Sequence, residues 1–382
     1  MKKLLALLFL LTAITPAHAA SKPLNQLVAL GDVTRHGGLL IDKATIYTFG
    51  NLESRTSDAV ITAFDSKGAI LSQRIIDGGG SDYISAGVSD GVGNFWFVGG
   101  DSPALTNPPI DTATVGAVNP DGVVVEEIPA LRGDIQNLVL WKYSIASGEI
   151  VRFAYSFGVP VLATSLAVDS KAISVIGVYG AKTGLQNFLL SASLAGTFSK
   201  PVPIGGTGTT INALLRNADG TVDLFGSSTE PLAGTKRAGR VDGVLIKVRG
   251  SKVVQVVRSS APQATREWVA TGAGTFLVGT IRSGKAINAV ATKFSGFKPV
   301  WTIRYPSTGN VAGFLNSTGA YFAYSTQSGL TLSFFSTKGV VGPSYTSQLP
   351  ARPISLAYSK EVGLLALVEA GNQAVILTPT SG

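Results

Sequence analysis

Apolar residues in this chain come in short runs of roughly four to eight, rich in Val, Ile, Leu, Phe and Thr and closed by Gly, Asp, Asn or Ser. Long stretches with the spacing of an amphipathic helix are nearly absent, so the pattern predicts many short strands. Residues 58–100, DAVITAFDSKGAILSQRIIDGGGSDYISAGVSDGVGNFWFVGG, display it most clearly. They read as a strand, a DSKG turn, a second strand, a glycine-rich loop, an inner strand, a turn with Gly91 and Gly93, and a strand ending in a double glycine.

That last strand, FWFVGG at 95–100, has counterparts in IYTFG (46–50), ISVIGVYG (173–180), VDLFG (222–226), TFLVG (275–279), AYFAY (320–324) and LLALV (364–368). Most steps between copies run from 44 residues (Tyr324 to Val368) to 53 (Gly226 to Gly279), and one step, from Gly99 to Gly177, is 78. Copies are followed by a further strand-like segment ending in a turn, among them ATVGAVNPDG at 113–122, FLLSASLAG at 188–196 and DGVLIKVRGSK at 242–252. Four strands in such a period make a small twisted sheet that cannot cover both of its faces alone. Packing the sheets face to face around an axis covers them all. The prediction is an all-β fold, a β-propeller of seven four-stranded blades, with eight as the alternative. The surplus in the long step, which includes DIQNLVLWKYSIASGEIVRF from Asp134, is read as an insertion or a degenerate blade near 120–160. An insertion is preferred because only one strand pair is visible there. The run Leu27 to Val33 lies ahead of the first unit and is expected to complete the last blade and close the ring.

The N-terminus adds a location. Lys2 and Lys3, an apolar run from Leu4 to Leu11 and the small-residue site Ala17-His18-Ala19 give residues 1–19 the make-up of a secretory signal peptide. Residues 20–382 are then expected to form a single propeller domain, secreted or held in the cell envelope outside the cytoplasm. No later segment offers roughly 18 uncharged apolar residues in a row, so no transmembrane anchor is expected. The chain has no Cys, which excludes disulfides, thiolate chemistry and a lipid anchor on cysteine.

The order D-A-V-I-T-A-F-D-S-K-G, then G-G-G-S-D, then S-D-G-V-G-N-F-W-F-V-G-G, best at 58–100, together with Val300-Trp301 before a strand, resembles the bacterial secreted β-propeller-repeat proteins of the SBBP type. The resemblance covers one unit well and the others loosely. It implies a propeller at the cell exterior and carries over no catalytic residues.

Little in the chain signals chemistry. Of two histidines, His18 belongs to the signal segment. His36, in TRHGG, is the remaining imidazole for a general base or a metal, and its setting reads as a solvated loop. One His without Cys does not make a zinc site, and no D-x-[DN]-x-[DN]-G string offers a calcium loop; no metal and no cofactor is expected. GGG at 78–80 and IGGTGTT at 204–210 look like phosphate cradles, but they lack a P-loop lysine and precede strands, so turns are expected. Asp32, Asp77, Asp82 and Asp90 are candidates to meet in space, yet no pair is signposted for glycoside hydrolysis. Trp96 and Trp301 stand at core positions of the repeat. Trp141, in the irregular region, is the tryptophan to consider as a platform for a ligand.

Charge points to one face. The chain carries 31 Lys+Arg against 23 Asp+Glu, a formal +8, with the positive residues scattered rather than arranged for reading nucleic acid. The connections after the glycine-ended strands vary most in length. Two of them, 99–112 (which holds Asp101) and 226–242, are long and polar and belong to the same connection type, so both should emerge on one face. The second holds Lys236, Arg237 and Arg240, and the next unit adds Arg282 and Lys285. The expected activity is that of a non-enzymatic binding or scaffold module for an anionic polysaccharide, a wall polymer or an envelope protein. The alternative is a propeller hydrolase or lyase acting on a carbohydrate or lactone. A cluster of buried, desolvated acids at one end of the channel would favour the enzyme.

Overall fold

A computed structural model describes residues 21–53, 56–103, 131–271 and 276–379. Strand β1 (Lys22–Asp32) is followed by a short 3-10 turn, Val33–Arg35, and then by a series of four-stranded units. The first unit is β2 (Gly38–Asp42), β3 (Thr45–Glu53), β4 (Ser57–Phe64) and β5 (Ile70–Ile76). The second is β6 (Asp82–Ser89), β7 (Asn94–Asp101), β8 (Asn137–Ser144) and β9 (Ile150–Ser156). The third is β10 (Val161–Val168), β11 (Ala172–Ala181), β12 (Gly184–Ser193) and β13 (Val202–Pro203). The fourth is β14 (Thr209–Arg216), β15 (Val222–Ser228), β16 (Asp242–Arg249) and β17 (Lys252–Ser259). The fifth is β18 (Thr265–Thr271), β19 (Phe276–Ser283), β20 (Ala286–Ser295) and β21 (Lys298–Pro306). The sixth is β22 (Val311–Leu315), β23 (Gly319–Thr326), β24 (Gly329–Ser336) and β25 (Val341–Ser347). The chain closes with β26 (Arg352–Ser359), β27 (Gly363–Ala370) and β28 (Gln373–Pro379).

Five units are separate four-stranded sheets, and the sixth belongs to an eight-stranded sheet of order β22-β23-β24-β25-β1-β28-β27-β26. That sheet is two four-stranded halves joined at one seam. β1 lies antiparallel on β28, from Leu24↔Pro379 to Asp32↔Gln373, and so supplies the outer strand of the last unit. Its first residues also pair in parallel with β25 at Lys22↔Tyr345 and Pro23↔Thr346, which fuses the two halves. The first strands touch their neighbours all the way round, from β2 through β6, β10, β14, β18 and β22 to β26 and back to β2. The ring is closed, and the N-terminal strand closes it as the sequence predicts.

Burial follows from the stacking. Second strands have a neighbouring unit on both faces, and β7 and β15 are buried along nearly their whole length; that is why second strands appear in sequence as mainly apolar runs. Fourth strands lie outermost, and β5 exposes Ile70, Leu71 and Ile75. The glycine that ends most copies has a separate cause. In the second to fifth units the first strand is kinked by a register shift, after Ile84, Ala163, Ile211 and Trp268. The residue paired with each kink is Gly99, Gly177, Gly226 or Gly279, and a Cβ there would overlap the carbonyl oxygen of Tyr83, Leu162, Thr210 or Glu267. Only glycine admits that approach of two backbones.

One expectation is corrected. Residues 137–156 are neither an extra blade nor an inserted hairpin, because β8 pairs with β7 from Asp101↔Asn137 to Asn94↔Ser144 and β9 completes the second unit. Leu138, Val139, Leu140 and Trp141 are fully buried there, and this apolar run takes the third-strand place. The surplus length is the connection 102–136 between β7 and β8. Residues 113–122 and most of that connection lie outside the described residues, as does the signal segment. Among the described residues no helix is long and apolar enough to cross a membrane.

Candidate binding face

Strands alternate in direction, so connections from second to third strand and from fourth to next first strand emerge on the same face. Connections 102–136 and 229–241 therefore share a face. Just beneath it, two residues beyond each glycine, the register gives one last rung per unit. The rungs are Asp82–Asp101–Asn137, Val161–Tyr179–Gln186, Thr209–Ser228–Asp242 and Arg266–Ile281–Asn288 in the second to fifth units.

The second unit's rung is acidic and compensated by the protein. The Asp82 carboxylate, 1% exposed, accepts the Gly78 amide at 2.5 Å. Asp101 accepts from Asn137 Nδ2 at 2.8 Å and forms an ion pair with Arg152. Burial pushes the Asp82 carboxyl above the usual range and its neighbours Asp101 and Asp77 add to this, while the Gly78 amide and Arg152 oppose it. Asp58, at the matching place on β4, is likewise raised by burial and by Asp77.

In the fourth unit the balance is reversed. Burial raises the Asp242 carboxyl, but hydrogen bonds from Ser260, from the Ala238 and Gly239 amides and from Arg258 outweigh it and hold the group below the usual range. Those amides sit at 3.0 and 2.8 Å, and Arg258 Nη1 at 3.2 Å. Arg258 also donates to the Glu230 and Ser228 carbonyls. Glu230 in turn accepts from the Gly206 amide at 2.8 Å and from Thr209 Oγ1 at 2.7 Å. The glycine loops at 78–80 and 204–210 are thus turns whose amides hold this chain's own carboxylates, and Gly79 and Gly205 take the positive φ that the turns need.

Lys236, Arg237 and Arg240 lie in the loop over the junction of the fourth and fifth units, while Arg282 projects from the sheet face turned to the sixth. Loop 229–241 runs onto the start of β18, with Arg240 N donating to the Ala264 carbonyl at 2.9 Å, Arg266 N to the Val241 carbonyl at 3.0 Å, and Val241 bridged to Thr265. Thr265 pairs with Arg282, and Lys285 lies in the turn that follows β19. Lys236, Arg237, Arg240, Arg282 and Lys285 are all exposed, and among the described residues none has an acidic partner within ion-pair distance. The loop meets the strand that pairs with Arg282, and Arg282 projects from the opposite sheet face to Arg266.

Trp141 is not a ligand platform. It is fully buried with Tyr47, Phe49 and Phe95 between the first and second units, because β8 is an interior strand. Asp101 is 7% exposed and already bound to Arg152 and Asn137, so it positions neighbours rather than facing a ligand. His36 is no solvated loop residue: it is buried, shares a 2.8 Å hydrogen bond with Thr48 Oγ1, and burial pushes its imidazole below the usual range. Asp32, Asp77, Asp82 and Asp90 do not converge as a set: Asp32 caps the 3-10 turn and Asp90 the turn into β7. Trp96 is buried, and Trp301 packs on Phe276 and Phe335 between units, as expected of core positions. Sequence reasoning missed Arg266 and a polar cleft of about 420 Å³ on the same face of the sixth and seventh units, lined by residues that include Asn310, Ser325, Arg352 and Glu369. The signal for Arg266 was present in TREWVA, since Arg and Trp two apart on a strand share a face. Among the described residues no group of three or more His, Asp or Glu is placed to hold a metal.

No protein-family model matches the chain, and no curated protein does. Solved structures do. Streptogramin B lyase aligns over 94% of this chain and 97% of its own at TM-score 0.52 and 8% identity. U3-55K aligns over 96% and 100% at 0.52 and 12%. The β-propeller domain of the Trilobed protease from Pyrococcus furiosus, described as having an open velcro topology, aligns over 95% and 96% at 0.50 and 8%. The chain is a β-propeller. At such identities the likeness carries the fold alone, and propellers of this shape include both enzymes and non-enzymes. The units described above are its blades.

Proposed function

We propose that the protein is an exported, non-enzymatic propeller that binds an anionic polymer of the cell envelope through the face over blades 4 and 5. The observation that carries this reading is the set of five exposed cations, Lys236, Arg237, Arg240, Arg282 and Lys285, none neutralised by an acid among the described residues. The buried acids Asp82, Asp101 and Asp242 of the same face are engaged by arginines or loop amides. Export rests on the make-up of residues 1–19.

Retention of the mature protein on a polyanion column at low salt, lost as salt rises, is the expected behaviour. Exposed charge contacts are each worth up to about 1 kcal/mol, so K236A/R237A/R240A should weaken polyanion binding roughly tenfold or more. A mature protein that flows through at low salt would remove this reading. A lyase or hydrolase reading draws on the raised carboxyls of Asp82 and Asp58. It would be favoured if Asp82→Asn abolished turnover of an acidic glycan or lactone.

A further inference from the structure

We propose that Arg266, in the first strand of blade 5 where it faces blade 4, anchors a site for one oxyanion, a carboxylate, sulfate or phosphate group carried by the ligand. This rests on the anionic-ligand reading above and locates its point of specific recognition. Arg266 is only 7% exposed. No carboxylate lies within ion-pair distance of it among the described residues, and its Nε has no hydrogen-bond partner. Its guanidinium stacks 4.3 Å above the ring of Trp268, whose own Nε1–H is buried and unpaired beside it. Gly243 of the facing blade admits the close packing of this pair: a Cβ there would come 2.8 Å from Trp268 Nε1 and 3.4 Å from Arg266 Cγ.

The acids nearby are unavailable. Asp242 follows the residue that binds the Arg266 amide, but it is engaged by Arg258 and two loop amides. Glu267 points to the other face of its strand. Arg304, in register on the same sheet face as Arg266, brings a second positive charge, and burial with that like charge pushes Arg266 down to about 10, still protonated at neutral pH. The matching residues in blades 2, 3 and 4 are Asp82, Val161 and Thr209. A buried guanidinium lying over an aromatic ring, with a donor left unpaired, is suited to capture of an oxyanion. The exposed cations around loop 229–241 then draw the polymer in, and Arg266 reads one of its charged groups.

The test is thermal unfolding of the full mature protein with sodium sulfate, sodium phosphate or sodium glucuronate, each against sodium chloride at equal ionic strength. We expect a saturable rise in Tm with at least one oxyanion, roughly 3 °C at a hundredfold excess over its Kd. The increment should be lost in Arg266→Met and in Arg266→Lys, which keeps the charge but not the fork, and retained in K236A/R237A/R240A. Which salt acts distinguishes a uronic acid from a sulfate or phosphate ester. General salt effects appear equally in the Arg266 variants and cancel. An increment that survives in both Arg266 variants, or its absence from the wild type, overturns the proposal. If polyanion retention persists in either case, the basic face stands and only its anchor is wrong; if retention is lost too, both fail.

Discussion

Asp82 and Arg266 occupy the same place in two blades, two residues ahead of the kink in the innermost strand, and both turn toward the preceding blade under the same face. Their surroundings differ. Asp82 has a loop amide and the nearby Arg152–Asp101 pair, so its blade compensates its own charge. Arg266 has an aromatic ring, an unpaired tryptophan N–H and a second arginine. Register decides where a side chain goes, and only the neighbours supplied by other strands decide whether its charge is satisfied within the protein or left for a ligand.

The largest effect expected from disturbing this contrast is at Arg258, the compensated arginine of blade 4. Arg258→Met leaves Asp242 buried without its cation and should cost about 3 kcal/mol of stability, read from chemical denaturation. The pH dependence comes next. Asp82 is raised in the folded state, so its contribution to stability is fully present at low pH and falls as pH rises through its folded pKa. Asp82→Asn keeps an acceptor for the Gly78 amide and should flatten that decline, leaving the variant the more stable protein at neutral pH in a Tm–pH profile. Asp242 has the opposite sign. Its carboxyl is lowered, so its contribution is present above the unfolded pKa and lost as pH falls through the folded one, and Arg258→Met should move the acid limb of unfolding upward. The smallest effect belongs to Arg266→Met in chloride alone, a change of less than about 1 kcal/mol, because a lost cation–π contact offsets relief of a buried unpaired charge. A loss as large as that of Arg258→Met would make the two arginines alike and erase the contrast.

The repeat was legible because second strands are covered on both sides: FWFVGG and its counterparts are mainly apolar, and their closing glycine answers a backbone contact that recurs from blade 2 to blade 5. The role of the N-terminal run was legible by counting, since the last unit lacks one strand. The third strand of blade 2 was misread because thirty-five residues of surplus chain, 102–136, intervene, and NLVLWKYS looks irregular at that distance from the strand it pairs with. Trp141 was misplaced for the same reason, and a tryptophan in a presumed insertion reads as exposed. The exposed cations could be found from loop length and composition alone. For Arg266 the sequence offered only its spacing from Trp268, and nothing local distinguishes a buried arginine that has a partner from one that lacks it.

Hydrophobic period, turn residues and copy number were written along the chain, and together they required stacked four-stranded sheets, because each such sheet has two faces to bury. Which acids meet which arginines, which glycine loops are filled by the chain's own carboxylates, and which buried cation is left over were settled between strands far apart in sequence. Electrostatic compensation depends on distance and burial in three dimensions, and neither quantity exists until the blades have closed into a ring.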